Sequence, residues 1–201
     1  EVPINEDSKV GFTNPYGHTK LMCEEIIGNV LNSDPSMNAG VLRYFNPVGA
    51  HDSGLIGENP QGVPSNLMPF IANVANGECD FLNVYGDNYC TRDGTGIRDY
   101  IHIMDLAEGH IASLRALLSG KSHVVNLGTG IGHTVLEVIR CYEKVSQKKI
   151  GYRVTKRRSG DVAVAYADVR RAAEILGWAA KRDLTSMCAS SWKWKESNTF
   201  S

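Results

Sequence analysis

The sequence predicts an α/β protein, the closing part of a Rossmann-type dinucleotide domain joined to a smaller α/β lobe. Three observations carry that expectation. Helical and strand-like patterns alternate along all 201 residues, with no internal repeat and no low-complexity segment. A strand-like run near residue 40 opens into a long loop rich in Gly, Pro and Asn, where open α/β sheets bind ligands. Hydrophobic residues make up 42% of the chain and charged residues 21%, the balance of a globular core.

In chain order, a helix is expected from Pro15 to about Leu31. Pro15 suits a first helical position, Asn14 suits its cap, and Leu21, Ile26, Ile27, Val30 and Leu31 supply apolar positions. The Asp34-Pro35 turn and Gly40 introduce a strand over residues 39–45. It is read as the one strand with the apolar character and helix neighbour of a large parallel sheet. Residues 46–65 read as a loop, of a length that is usually functional or disordered. A helix over 67–76 stops at Gly77. Next come a strand over 82–85, a loop over 86–96, a strand over 97–103 and a helix over 105–118. A strand over 124–127, a helix over 134–146 and a strand over 152–156 follow. A short helix over 169–176 ends at Gly177, and an amphipathic helix over 184–195 closes the chain. Residues 1–50 are assigned to the end of the dinucleotide domain. Residues 51–201 are assigned mainly to the second lobe, with some segments returning to the first.

The formal net charge of −1 favours neither nucleic acid nor an anionic membrane. No apolar run is long enough to span a bilayer, and no signal-peptide pattern appears. The opening Glu1-Val2-Pro3-Ile4-Asn5-Glu6 reads as the interior of a longer protein. The five cysteines are odd in number and form no C-x-x-C pair, which predicts free thiols in a reducing cytosol and a cytoplasmic protein. Zinc-ligand spacing is absent, so no metal is expected.

Tyr16 and Lys20 are four positions apart. On a helix they share one face, about 6 Å apart along the axis. An ammonium held near a phenol favours the phenolate, as a general base working near neutral pH requires. The run Asn14-Pro15-Tyr16-Gly17-His18-Thr19-Lys20 resembles the signature of the extended short-chain dehydrogenase/reductase superfamily. That resemblance makes Tyr16 the base and Lys20 the cofactor-binding lysine, which can also donate to a ribose hydroxyl.

Further along stand Arg43-Tyr44-Phe45-Asn46-Pro47-Val48-Gly49-Ala50-His51, then Gly57 through Phe70, and Asn83-Val84-Tyr85-Gly86. After them come Asp93-Gly94-Thr95-Gly96-Ile97-Arg98-Asp99-Tyr100-Ile101-His102, Asn126-Leu127-Gly128-Thr129-Gly130 and Arg157-Arg158-Ser159-Gly160-Asp161. In order and spacing these resemble the UDP-galactose (UDP-glucose) 4-epimerases over essentially the whole chain. The resemblance implies NAD as cofactor, near Tyr16, Lys20, Tyr44 and Pro47, and a UDP-sugar as substrate. It puts Asn46 on the diphosphate, Asn66 and Leu67 near diphosphate and uracil, and Asn83 and Tyr85 over the uracil. It makes Arg98 and Arg158 a diphosphate clamp, Asp161 the partner of the uridine ribose, and Ala165 the border of the hexose pocket. Elementary chemistry agrees: guanidinium forks match phosphate oxygens, aromatics stack on uracil, and a carboxylate accepts from vicinal hydroxyls. A small residue at Ala165 leaves room for an N-acetyl group.

Leu127-Gly128-Thr129-Gly130-Ile131-Gly132-His133-Thr134 stands between a strand and a helix, where a dinucleotide fingerprint belongs. Its G-x-G-x-G spacing is wrong for one, and Arg157 and Arg158 follow the next strand instead of an acidic ribose partner. It is read as a tight turn with Thr134 as a helix cap. No phosphate fingerprint precedes Tyr16, and the Ser/Thr expected upstream of the base is absent. A missing N-terminal NAD-binding half is therefore the expected partner, the family also being often dimeric. Alone, the chain is expected to be inactive and to fold poorly. A related nucleotide-sugar dehydratase or decarboxylase, and a non-catalytic nucleotide-sugar-binding module, are the alternatives.

Overall fold

In the computed structural model, which describes residues 1–12, 15–62 and 64–198, parallel pairing dominates an α/β architecture. The chain runs α1 (Pro15–Ser33), β1 (Gly40–Tyr44), β2 (Asn46–Val48), α2 (Leu67–Ala75), β3 (Leu82–Tyr85), β4 (Ile97–His102) and α3 (Ile103–Leu118). It continues β5 (His123–Leu127), β6 (Gly132–Thr134), α4 (Val135–Ser146), β7 (Tyr152–Thr155), β8 (Val164–Ala165), α5 (Arg170–Leu176) and α6 (Leu184–Ser197). Asn14, the expected cap of α1, lies outside the described residues.

Strand β5 pairs in parallel with β1, Gly40 opposite His123 and Tyr44 opposite Leu127. A later segment thus extends the sheet that residues 39–45 begin. The partner is 83 positions away, and no local pattern announces such a pairing. Strand β4 is central to a second sheet, flanked by β2 in parallel, β6 antiparallel and β8 in parallel. Strands β3 and β7 form a third, parallel pair.

Two cores result. The larger joins α2, α4 and α6 to β3, around Ile71, Leu82, Val138, Tyr142 and Met187. The smaller sits between β5, α3 and α5, around Ile101, Val125, Leu127 and Trp178. Helix α6 docks on the first through a polar seam. The buried His102 accepts at Nδ1 from the backbone N–H of Met104, so its Nε2 carries the proton toward Ser190 Oγ, 2.9 Å away. Ser190 Oγ also accepts from the backbone N–H of Ala50 at 3.1 Å. Gly49 (φ +85°) is required there, since a Cβ would stand 2.9 Å from that hydroxyl oxygen.

Helix α1 is different. None of its residues is fully buried, and Glu24 pairs with Arg43 of β1. No described helix is long and apolar enough to cross a membrane.

Candidate functional site

A cavity of about 450 Å³ is lined by β2, β3 and β4, together with the start of α2 and the segment after β7. Its polar lining follows from strand alternation. On β4, Arg98 and Tyr100 face the cavity while Asp99 and Ile101 face the other way. On β3, Leu82 and Val84 enter the core, leaving Asn83 and Tyr85 on the opposite face. Asn46 of β2 stands in register with Tyr100. Asn66 precedes α2 without capping it; its side-chain amide donates to Glu58 at 3.0 Å.

The segment after β7 closes the site. Arg157 lies over the Tyr89 ring at 3.9 Å and donates to Asn88 Oδ1 at 2.7 Å. Arg158 lies over the Tyr85 ring, 4.8 Å from its centroid, and donates from Nε to Asp161 at 3.0 Å. The other Asp161 oxygen is 3.8 Å from Arg98. One carboxylate thus holds two guanidiniums at the cavity wall and leaves a net positive charge there. Such a wall matches a ligand with two adjacent anionic groups.

Asn46, Asn66, Leu67, Asn83, Tyr85, Arg98, Arg158 and Asp161 therefore line one cavity, together with Pro47. Ala165 is not in the lining; it sits on β8 in register with Arg98. Tyr44 is exposed and tilts against His110, ring centroids 5.6 Å apart. Tyr16 and Lys20 also stand apart from the cavity lining. The Lys20 ammonium is 5.2 Å from the centroid of the Tyr16 ring, which is exposed. The two share a helix face as their spacing predicts.

Tyr100 was missed. Burial pushes its hydroxyl up to about 12, against the pull of Arg98 and Arg158. It stays protonated and is a donor on the cavity floor. Alternation from Arg98 within the same motif was the signal that could have found it. Phe70 and Tyr89 add aromatic lining with no comparable signal.

The glycine turn between β5 and β6 already holds an anion of the protein's own. Asp99, fully buried, accepts from the backbone N–H groups of Thr129 and Gly130 at 2.9 Å each and of Ala167 at 3.1 Å. A Cβ on Gly128 would stand 2.7 Å from the carboxylate. A phosphate has no place in that turn. Thr134 caps α4 in a capping box with Glu137. No cluster of metal-ligating side chains occurs among the described residues, and all five cysteines are free thiols.

The profile of the GDP-mannose 4,6 dehydratase family matches residues 1–191. Among curated proteins, the chain is 52% identical to the UDP-glucose 4-epimerase of Bacillus subtilis over 98% of its own length, which is 58% of that relative. It is 51% identical to the UDP-glucose 4-epimerase of Homo sapiens, again over 98% of this chain and 57% of that one. The chain thus spans somewhat more than half the length of these relatives. The crystal structure of a UDP-glucose 4-epimerase from Stenotrophomonas maltophila, with bound NAD and formylated UDP-arabinopyranose, superposes with a TM-score of 0.96 at 46% identity, covering 98% of this chain and 59% of that one. The Bifidobacterium longum enzyme in complex with NAD+ and UDP gives 0.93 at 50% identity, with the same coverage.

Proposed function

This chain belongs to the GDP-mannose 4,6 dehydratase family, and from that premise we propose that it is the UDP-sugar-gripping portion of an NAD-dependent UDP-glucose 4-epimerase. The observation that carries the reading is the single cavity that gathers Asn46, Asn66, Tyr85, Arg98, Arg158 and Asp161 from separated motifs. Arg98 and Arg158 take the diphosphate, displacing part of their hold on Asp161, which turns to the uridine ribose. Tyr100 donates from the floor, and Tyr85 covers the uracil.

The residues fit NAD at its nicotinamide end alone. Tyr16 and Lys20 stand exposed on one helix face, while the glycine turn is filled by Asp99. NAD, when bound, supplies reversible hydride acceptance at the sugar C4. Lys20 holds the cofactor's ribose and keeps positive charge beside Tyr16. Tyr16 takes the proton of the 4-hydroxyl and later returns it. The polar clamps all fall on UDP, so the hexose is held loosely enough for the 4-keto sugar to turn about its diphosphate link. The rest of the cofactor site comes from a further N-terminal portion, and this chain alone is inactive.

Ala165 extends the reading to N-acetylated sugars. A Cβ on Gly132 would stand 3.4 Å from the Tyr166 ring, so Tyr166 lies toward β6 and Ala165 takes the opposite face, level with Arg98. The enzyme is cytoplasmic, consistent with five free thiols, and forms a homodimer.

The test is conversion of UDP-galactose to UDP-glucose by the full-length enzyme with NAD. A 4-keto-6-deoxy product in place of UDP-glucose would make it a dehydratase. For breadth, kcat/KM is compared for plain and N-acetylated UDP-hexoses in the parent and in Ala165→Tyr. The tyrosine variant should lose the acetylated pair selectively.

A further inference from the structure

Helices α4 and α6 pack side by side, and each brings a cysteine to the contact. Cys188 of α6 is wholly buried in the larger core, and Cys141 of α4 is half-buried at its edge. The Cys141 sulfur lies 4.0 Å from Oγ1 of Thr185, which stands one turn before Cys188 on the same face of α6. Cys141 packs against the buried cluster that contains Cys188. We propose that Cys141 and Cys188 form an oxidation-sensitive dithiol, in which a hydroperoxide oxidises Cys141 and Cys188 resolves it to a disulfide joining α4 to α6.

The roles divide by environment. The contact with Cys188, then the one with Thr185, pulls the Cys141 thiol below its ordinary range, against some burial. The same contact, and burial, push Cys188 up. Cys141 is the outer and more accessible of the two, as a first nucleophile must be. Its sulfur attacks one peroxide oxygen and the O–O bond breaks. The other oxygen takes up a proton and leaves as an alcohol, or as water from hydrogen peroxide, while Cys141 becomes a sulfenic acid. The Cys188 sulfur then attacks the Cys141 sulfur, the S–O bond breaks, and the hydroxyl leaves as water with the Cys188 proton. Two electrons pass from the sulfur pair to the peroxide.

The bridge would fasten α4 to the helix that docks on His102 and Ala50 through Ser190. Tyr100, on the cavity floor, belongs to the same core as Cys188. Oxidation therefore stiffens the wall behind the cavity without touching its polar lining.

The test treats the full chain with dilute hydrogen peroxide, unfolds it in N-ethylmaleimide, and digests it with trypsin without reductant. The expected product is peptide 141–144 joined to peptide 183–193, lighter by two hydrogens than their sum and separated by dithiothreitol. The exposed Cys23 and Cys90 should carry maleimide at the same dose. In Cys188→Ala, Cys141 should stop at the sulfenic acid and be labelled by dimedone. Cys188 carrying maleimide while Cys141 advances to sulfinic acid would overturn the proposal, as would a bridge to any other cysteine. The peptide measurement needs no variant, so a poorly folding Cys188→Ala leaves it decisive.

Discussion

Helix α2 buries six of its nine residues, whereas α1 buries none of its nineteen. Met68, Ile71 and Val74 of α2 meet β3, α4 and α6 in the larger core. Met22, Ile26 and Val30 of α1 meet no core among the described residues, and Glu24–Arg43 is the tie that holds the helix to β1. The contrast separates two tasks. The cavity is lined by elements packed into the larger core of this chain. The Tyr16–Lys20 pair keeps its internal geometry through helix spacing, on a helix none of whose residues is fully buried.

Stability measurements should expose the contrast most strongly. Ile71→Ala is expected to cost about 2–5 kcal/mol in denaturant melts, the price of an emptied core site. Ile26→Ala, at a position 59% exposed, should change stability by less than about 0.5 kcal/mol. Equal losses in the two variants would mean that α1 is as firmly packed as α2.

Turnover and binding should part company next. In the full-length enzyme, Tyr16→Phe should lower turnover by about 10²-fold, the usual cost of losing a general base, and leave the Kd for UDP unchanged. Near-normal turnover would remove Tyr16 from the chemistry. Conversely, Arg158→Ala should weaken UDP binding by about 1.5–3 kcal/mol, the scale of a charge-assisted hydrogen bond. Calorimetry on the folded variant decides this, and an unchanged affinity would rule out the clamp.

The smallest effect concerns pH. Burial, then the Arg182 charge, lowers the His102 pKa from its ordinary 6.5, and its Nδ1 is already an acceptor. Above pH 6.5 neither state is protonated and the seam is intact. As pH falls below 6.5, the unfolded chain takes up a proton that the folded chain resists, so stability declines until the folded value is passed. His133 is lowered too, mainly by burial. The decline should therefore be shallower in His102→Gln but not abolished. Identical slopes in parent and variant would show that the seam does not sense protons.

Much of this was legible in the sequence, for identifiable reasons. Strand β3 fell at the expected residues because Leu82-Asn83-Val84-Tyr85 alternates cleanly, and α5 stopped at Gly177, whose φ of +61° suits glycine. Strands β2, β6 and β8 were not legible. They span two or three residues, and Asn46-Pro47 carries the composition of a turn. What makes them strands is β4, a partner distant in sequence. Within the site, charged and amide residues stood out because their motifs are long, whereas Tyr100, quoted in one of those motifs, carries no charge to single it out. The purpose of the glycine turn was hidden because its occupant, Asp99, lies 30 positions from Thr129.

Strand β4 also carries a safeguard against assembling wrongly. Its successive residues Arg98 and Asp99 serve opposite faces, one the cavity with its basic wall, the other a nest of backbone N–H groups. A slip of one residue would leave those N–H groups without their carboxylate and put a guanidinium among donors that cannot receive it. Two alternating apolar residues would penalise that error only through lost burial. Two opposite charges make it self-defeating, so the strand that builds the binding site also checks its own alignment before any ligand arrives.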